Sequence, residues 1–309
     1  MGYVELGRRA TAFSAIAVLL FIVGLALGYG ISAVTGGHNG LTGTGAGVGN
    51  TTATGSAAGS CPGECKNADL LEKIKERGYI VVGTSADWPP YEYVLPNGSY
   101  AGIDMVLAKK IAQDLGVKLV VKDMKFDALF QAVQDGKVDI VIADVSMKPS
   151  RYQAVDFSIP YMCVDGMDIV MRAQDASSYN GPQSLYGKKI GAQTATTEED
   201  LAKKYFQGKA TIETYDKVYP EMILALKTGK IDAVILSPYV AQVIVNMTPG
   251  LKIAGQLPYH DCAAVVLPHY ALSLKQAVSQ TIWDLQQSGQ LNQIIEQEMA
   301  KWLQSQQGG

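Results

Sequence analysis

The chain is poor in the residues from which metal sites and nucleic-acid interfaces are built. Among its 309 residues are only 4 cysteines and 3 histidines, and the histidines (His38, His260 and His269) are not spaced like zinc ligands. The formal net charge is −3, so there is no excess of basic side chains to bind a phosphate backbone. We therefore expect no bound metal, no cofactor and no nucleic-acid partner.

Segment 10–34 lacks charged side chains altogether. It is apolar and long enough to span a bilayer, and Arg8 and Arg9 precede it, which places the residues after it outside the cytoplasm. We expect residues 1–9 to be a cytoplasmic N-terminus and residues 10–34 a transmembrane anchor. A signal peptide cleaved near Ala33 is the main alternative, and prepilin-type processing near Arg9, which would leave the apolar helix attached, is a second.

Apolar periodicity is missing from residues 35–60, which consist almost wholly of Gly, Thr, Ala, Ser and Asn. Such a composition cannot build a hydrophobic core. It is typical of a flexible linker, here between the membrane and a folded domain that begins at about residue 66.

The four cysteines are Cys61, Cys65, Cys163 and Cys262. Outside the cell, disulfides are the usual state of paired cysteines. One short-range pair, Cys61 with Cys65, plus one distant pair is the simplest arrangement, and the spacing by itself leaves the connectivity open.

One pattern occurs twice, about ninety positions apart. AVQDGKVDIVI at 132–142 is echoed by ALKTGKIDAVI at 225–235. Each copy predicts the end of an amphipathic helix, a glycine that ends it, and a short apolar strand. A repeat at this distance indicates two similar α/β lobes.

The pattern of apolar residues predicts a β–α–β–α–β order with parallel strands in the first lobe, and a second series after residue 161. The predicted helices are 69–77, 103–115, 126–135, 197–206, 218–228 and 238–246. The predicted strands are 79–83, 117–121, 138–143, 166–171, 188–192, 210–213 and 231–236. Two further helices, between 272 and 303, break at Ser288–Gly289 and should return to the first lobe.

Polar residues follow the predicted strands, where ligands of open α/β sheets bind. Asp144 and Ser146 follow one strand and lead to Arg151, whose guanidinium can bind a carboxylate bidentately. Thr196 and Thr197 open a helix, whose N-terminus attracts an anion. Carboxylate or carbonyl oxygens suit an ammonium group. These groups together describe a site for the zwitterionic part of an α-amino acid.

Three motifs add a resemblance to a known family. They are IVVGTSADWPPYE at 80–92, GIDMVLA at 102–108 and IADVSMKPSR at 142–151, the last continuing into VDFSIPY at 155–161. These motifs resemble the family 3 extracellular solute-binding proteins, the polar amino-acid receptors of ABC importers, over about residues 68–303. The resemblance implies an α/β, two-lobed periplasmic-binding-protein-like (type II) fold with a two-strand hinge. Residues 66–309 would form it, with lobe 1 at about 66–160 and 268–309 and lobe 2 at about 163–262.

The resemblance also implies roles for individual residues. Arg151 would bind the ligand carboxylate beside Ser146, with Thr196 and Thr197 from the second lobe. Trp88 and Phe126 would cover the two faces of the ligand side chain. Separately from the resemblance, we consider a cationic side chain against Trp88 through a cation–π contact, with Asp87 nearby. The Asp144 carbonyl would meet the ammonium. Ser237 departs from the pattern, because the family commonly has an aspartate there as the ammonium counter-ion, and Asp144 is the nearest substitute along the sequence.

The resemblance also places Cys163 and Cys262 on the two hinge strands. Because these strands would run side by side in opposite directions, it implies a disulfide between the two residues. Two buried free thiols are the alternative.

We expect a monomeric binding protein on the outer face of the membrane that delivers a polar amino acid to an ABC permease, and no enzyme activity. The main alternative is an enzyme on the same scaffold, similar to cyclohexadienyl dehydratase, with Asp144 or Asp87 as general acid. A sensor coupled to signalling is a third hypothesis.

Overall fold

A computed structural model of the chain describes residues 69–305, with side chains to residue 304. The predicted anchor (10–34) and linker (35–60), together with Cys61 and Cys65, lie outside the described residues. Within residues 69–305, no helix is both long and apolar enough to cross a bilayer.

The described part of the chain contains short and long strands and helices of moderate length. The strands are β1 (Tyr79–Thr84), β2 (Asp87–Trp88), β3 (Glu92–Val94), β4 (Tyr100–Ala101), β5 (Lys118–Asp123), β6 (Ile140–Val141), β7 (Asp156–Arg172), β8 (Lys189–Gln193), β9 (Thr211–Tyr215), β10 (Ala233–Leu236) and β11 (Leu251–Leu267). The helices are α1 (Leu70–Arg77), α2 (Ile103–Asp114), α3 (Leu129–Gln134), α4 (Ala173–Ala176), α5 (Thr197–Phe206), α6 (Ile223–Lys227), α7 (Pro238–Met247), α8 (Leu272–Gln287) and α9 (Gln290–Ser305). Short helical turns lie at Phe126–Ala128, Arg151–Gln153, Pro182–Leu185 and Val218–Met222.

Eight strands form one mixed sheet in the order β5-β1-β6-β11-β7-β10-β8-β9. In lobe 1, β1 pairs in parallel with β5 and β6. In lobe 2, β8 pairs in parallel with β9 and β10. The predicted parallel β–α–β–α–β order of the first lobe is confirmed, as is the α/β class.

The central strands β7 and β11 are 17 residues each and connect the two lobes. They are antiparallel, and Cys163 lies directly opposite Cys262 with a Cα–Cα distance of 4.1 Å. A disulfide joins the two residues.

Most predicted strands differ from the structure by one or two residues at an end, and two differ by more. The prediction of 166–171 covers only the last part of β7, because the earlier residues cross between the lobes and alternate irregularly between buried and exposed positions. The predicted strand 138–143 is reduced to Ile140–Val141, since the chain turns into the cavity at Asp144, where φ is 43°.

The start of α2 depends on a close backbone approach at Gly102. Its φ is 113°, and a Cβ atom there would lie 2.2 Å from the Tyr91 carbonyl oxygen. Only glycine fits this position. The Asp104 amide donates to the same carbonyl at 2.9 Å. The glycine thereby brings the first turn of α2, and the Asp104 carboxyl, under the cavity.

The C-terminal helices pack on both lobes. α8 lies against α1 and α2 of lobe 1, and its Thr281 hydroxyl donates to Asp114 at 2.9 Å. On α9, the buried Trp302 ring lies 4.3 Å from the Tyr93 ring of lobe 1 and 5.7 Å from the Tyr219 ring of lobe 2, between ring centroids. One aromatic side chain thus contacts both lobes.

Candidate functional site

A cavity lies between the lobes, at the edge of the sheet where β1, β6 and β8 end. Its free volume is about 20 Å³, room for about one water molecule. Its lining comes from both lobes and from β11: Ser85, Trp88, Glu92, Phe126, Ala143, Asp144, Ser146, Arg151, Gln193, Thr196, Thr197, Glu198 and Asp261. All of the predicted ligand-binding residues except Asp87 and Ser237 are in this set.

The guanidinium of Arg151 is buried and bonded to both lobes. Nη1 donates to the Ser146 carbonyl at 2.8 Å, and Nη2 donates to the Ala195 carbonyl of lobe 2 at 3.0 Å. Its Cζ lies 4.8 Å from the centre of the Phe130 ring. Burial lowers the pKa of Arg151 to about 10, so the side chain is cationic at neutral pH. Its position and charge suit a carboxylate ligand.

Hydroxyl groups connect the lobes beside Arg151. Thr197 Oγ1 donates to Ser146 Oγ at 2.7 Å, and Ser146 Oγ donates to Asp261 Oδ2 at 2.7 Å. Thr196 is the N-cap of α5, because its Oγ1 accepts from the Glu199 amide at 3.2 Å. The N-terminal end of α5 therefore faces the cavity, where its backbone dipoles favour an anion.

Three carboxyl groups lie together on the lobe 1 side of the cavity. Glu92 Oε2 and Asp104 Oδ1 are buried and accept no hydrogen bond from an N–H group among the described residues, and the two carboxyl groups hydrogen-bond each other. Asp144 Oδ2 accepts from Trp88 Nε1 at 2.9 Å. Burial raises the pKa of Asp104 to about 6 and raises the pKa values of Glu92 and Asp144 well above their ordinary values. Burial therefore favours the neutral, protonated forms of these groups, whereas a cation beside them would favour the charged forms.

Two more carboxyl groups face Arg151. Burial, with the nearby charge of Asp261, raises the pKa of Glu198 to about 7. Burial also raises the pKa of Asp261, against the opposing effects of the Ser146 hydroxyl and Arg151. The part of the cavity near Arg151 therefore contains one cation and two acids.

Two non-glycine residues at the cavity have left-handed backbone conformations, Asp144 with φ 43° and Ala195 with φ 65°. Such conformations cost on the order of 1–3 kcal/mol each and persist where the surroundings require them. Here the Asp144 amide donates to Asp104 at 2.8 Å, and the Ala195 carbonyl accepts from Arg151. Both strained residues thus direct backbone groups into the site.

Asp87 lies outside the cavity and joins the lobes directly. Its carboxylate accepts from the Val218 amide at 2.6 Å and from Gln193 Nε2 at 3.1 Å, both in lobe 2. At the edge of the cleft, Lys148 Nζ pairs with Asp200 at 2.5 Å. These contacts hold the lobes in a closed arrangement. The Asp87 carboxylate is thus used by lobe 2, and its predicted place beside the ligand side chain stays a prediction.

Ser237 is 2% exposed, and its Oγ has no partner among the described residues. It precedes α7 without capping it through its side chain and does not line the cavity. The structure therefore places Ser237, which departs from the family pattern, away from the cavity lining. Any counter-ion for an ammonium group must come from elsewhere.

The comparisons with known proteins agree with this geometry. The family described as bacterial extracellular solute-binding proteins, family 3, matches residues 80–304. The chain belongs to this family.

Individual members of the family differ in what they bind. This solute-binding protein is 28% identical to the L-cystine-binding protein TcyJ of Escherichia coli, over 76% of its own length and 86% of the relative. It is 26% identical to cyclohexadienyl dehydratase of Pseudomonas aeruginosa, over 75% and 85% of the two chains. A crystal structure of the substrate-binding protein AbpA from Streptococcus pneumoniae, bound to L-arginine, superimposes with a TM-score of 0.71 at 34% identity, covering 75% of this chain and 99% of that one.

Six residues that line the cavity are not among the predicted site residues: Ser85, Glu92, Ala143, Gln193, Glu198 and Asp261. Ala143 and Glu198 adjoin the predicted residues Asp144 and Thr197, so their neighbours were a usable signal. Asp261 had no such signal, since it lies on a hinge strand far along the chain from every other polar residue of the site.

The solute-binding protein should lose stability as Glu198 ionises. The pKa of Glu198 is raised to about 7 from an ordinary 4.5, so the folded state retains a proton that the unfolded state releases. The free energy of unfolding should therefore fall between about pH 4.5 and 7 and level off above. We expect Glu198→Gln to be more stable than wild type at pH 8 by on the order of 2 kcal/mol, and equal to it at pH 4.

Urea unfolding at a series of pH values measures this difference. Glu72→Gln, at an exposed position of α1, serves as the matched control and should parallel wild type. A Glu198→Gln curve that also parallels wild type from pH 4 to 8 would contradict the raised pKa.

Proposed function

We propose that the protein binds a cationic L-amino acid, with L-arginine as the first candidate, and delivers it to an ABC import permease. The observation on which this rests is the charge of the cavity. The lining contains one guanidinium, that of Arg151, and four carboxyl-bearing side chains: Glu92, Asp144, Glu198 and Asp261.

The carboxylate and ammonium of a zwitterionic head group would pair with one cation and one anion of the site. The remaining acidic side chains would then have no cationic partner. Buried carboxylates without a partner are costly, and so is a buried cation without one. A ligand with a positive side chain removes both costs, because it places its charge against Glu92 and Asp144. A neutral or acidic side chain would leave the cluster protonated and unpaired.

The aromatic side chains support the same ligand class. Trp88 and Phe126 are 6% and 7% exposed and lie on the cavity wall. An aliphatic stem with a planar guanidinium can lie along such rings, with a cation–π contribution of about 0.5–2 kcal/mol. The AbpA structure, which superimposes on this chain, contains bound L-arginine and so supports the same ligand class.

Isothermal titration calorimetry with L-arginine, L-lysine, L-histidine, L-glutamine, L-glutamate and L-cystine tests the proposal. We expect the cationic amino acids to bind most tightly, and L-arginine at a hundred times its Kd to stabilise the fold by about 2.7 kcal/mol. Tighter binding of L-glutamate or L-cystine than of any cationic amino acid would refute the proposed ligand class.

A second candidate function is favoured by one observation, the pKa of about 7 at Glu198 inside the cavity. A carboxylic acid with that pKa suits general acid catalysis near neutral pH. The similarity to a cyclohexadienyl dehydratase suggests which reaction such an acid would catalyse. The acid would protonate the hydroxyl of prephenate, which leaves as water while carbon dioxide is lost and phenylpyruvate forms. Release of phenylpyruvate, abolished in Glu198→Gln, would establish this activity; no turnover alongside amino-acid binding would exclude it.

We also propose that the protein works as a monomer on the outer face of the membrane, anchored by residues 10–34. The uncharged apolar segment after Arg8 and Arg9 and the linker at 35–60 support this arrangement. A tether raises the local concentration of a receptor near its transporter. Retention of the protein in the membrane fraction after an alkaline wash tests the anchor.

A further inference from the structure

We propose that Asp261, on the hinge strand β11, binds the α-ammonium group of the amino acid. This makes the hinge part of the recognition site as well as the axis about which the lobes move. The inference rests on the proposed function, and it assigns one group of the ligand to one of the four carboxyl groups of the cavity.

The first support is the position of Asp261 relative to Arg151. Asp261 Oδ2 accepts from Ser146 Oγ, and Arg151 Nη1 donates to the carbonyl of the same Ser146. The anion and the cation are therefore held on either side of one residue, each against neutral groups of the protein. The carboxylate and ammonium of an α-amino acid are attached to one carbon atom, so a single head group can reach both.

The second support is the local structure of β11. Side chains alternate along a strand, and Asp261 lines the cavity whereas its neighbours His260 and Cys262 do not. Cys262 is bonded to Cys163 in the directly opposed position of β7, and Asp261 lies opposite Val164. The disulfide thus fixes the register of the strand at the residue next to the proposed ligand contact.

The third support is that the other acids of the cavity are engaged elsewhere. Asp144 accepts from the Trp88 indole and belongs to the cluster with Glu92 and Asp104. Glu198 has a pKa of about 7, so its carboxyl group is protonated below neutral pH. Ser237 has no charge and does not line the cavity. Asp261 is therefore the carboxylate that remains to bind the ammonium group, as Arg151 binds the carboxylate of the same ligand.

The test compares two ligands that differ only in the α-amino group, L-arginine and 5-guanidinopentanoate, on wild type, Asp261→Asn and Asp144→Asn. We expect Asp261→Asn to weaken L-arginine by at least about tenfold and to change 5-guanidinopentanoate by no more than about twofold. Retained binding of the second ligand shows that the variant is folded. Asp165→Asn, an exposed carboxylate on the opposite hinge strand, should bind both ligands as wild type does.

Each other outcome has a definite meaning. Equal weakening of both ligands in Asp261→Asn would show that the residue only positions Ser146, and would overturn the assignment. Selective loss of L-arginine in Asp144→Asn instead would move the ammonium contact to Asp144, also overturning it. Wild-type protein that binds no α-amino acid would overturn the proposed function and this inference with it.

Discussion

Replacing Arg151 by alanine is expected to weaken L-arginine binding by about a hundredfold or more, which corresponds to ~2.7 kcal/mol. The side chain is 8% exposed, so its pairing with the ligand carboxylate would be desolvated and charge-assisted. Its removal would leave that carboxylate buried against acidic neighbours. Isothermal titration calorimetry at neutral pH measures the loss.

Two comparisons separate the carboxylate contact from a general effect on the fold. Agmatine, which lacks the carboxylate, should bind wild type and Arg151→Ala with similar affinity. Arg172 is a partly buried arginine in lobe 2 that donates to the Leu226 and Ile231 carbonyls outside the cavity, and Arg172→Ala should keep its affinity for L-arginine. If Arg151→Ala bound L-arginine as tightly as wild type, the cavity would not be the binding site.

Replacing both Cys163 and Cys262 by serine is expected to lower the free energy of unfolding by up to ~4–5 kcal/mol. The disulfide closes a loop with a sequence separation of 99, and the chain-entropy model assigns that much to a loop of this length. Urea unfolding of the oxidised wild type and of the double variant measures the difference.

A reducing agent provides the internal control for this prediction. It should destabilise wild type about as much as the double substitution does, and it should leave the double variant unchanged even though Cys61 and Cys65 are still present. A wild-type unfolding midpoint that does not respond to reduction, with free thiols at both positions in peptide maps, would disprove the bridge.

Local sequence patterns predicted helices and strands well where the residues at the ends of an element mark its start and its end. The predicted helix 197–206 has the bounds of α5, because Thr196 caps it and acidic residues fill its first turn. The hinge was only partly predictable: β7 contains Pro160 and exposed residues between its buried ends, so it lacks the continuous period of a single strand. Its length is a tertiary property, set by pairing with β11.

The residues of the candidate site likewise fall into those that sequence motifs identify and those that only the folded structure identifies. Arg151 and Trp88 stand in sequence motifs and line the cavity. Asp87 stands in the same motif as Trp88, but only the docking of lobe 2 shows that Val218 and Gln193 use its carboxylate. Motifs therefore indicated which residues reach the cleft, and the closed arrangement of the lobes decided which of them are available to a ligand.

The position of Trp302 between the lobes has an optical consequence. Its ring contacts Tyr93 on one side and Tyr219 on the other, so any rotation of one lobe against the other alters the polarity around an indole and hence its fluorescence. Trp88 lies in the cavity wall, and Trp283 is 52% exposed on α8. The three tryptophans of the chain are therefore in three different settings, one in the wall of the cavity, one between the lobes and one half-exposed to solvent. Single Trp→Phe variants would resolve ligand entry and lobe movement as separate signals in a stopped-flow trace, without an attached dye.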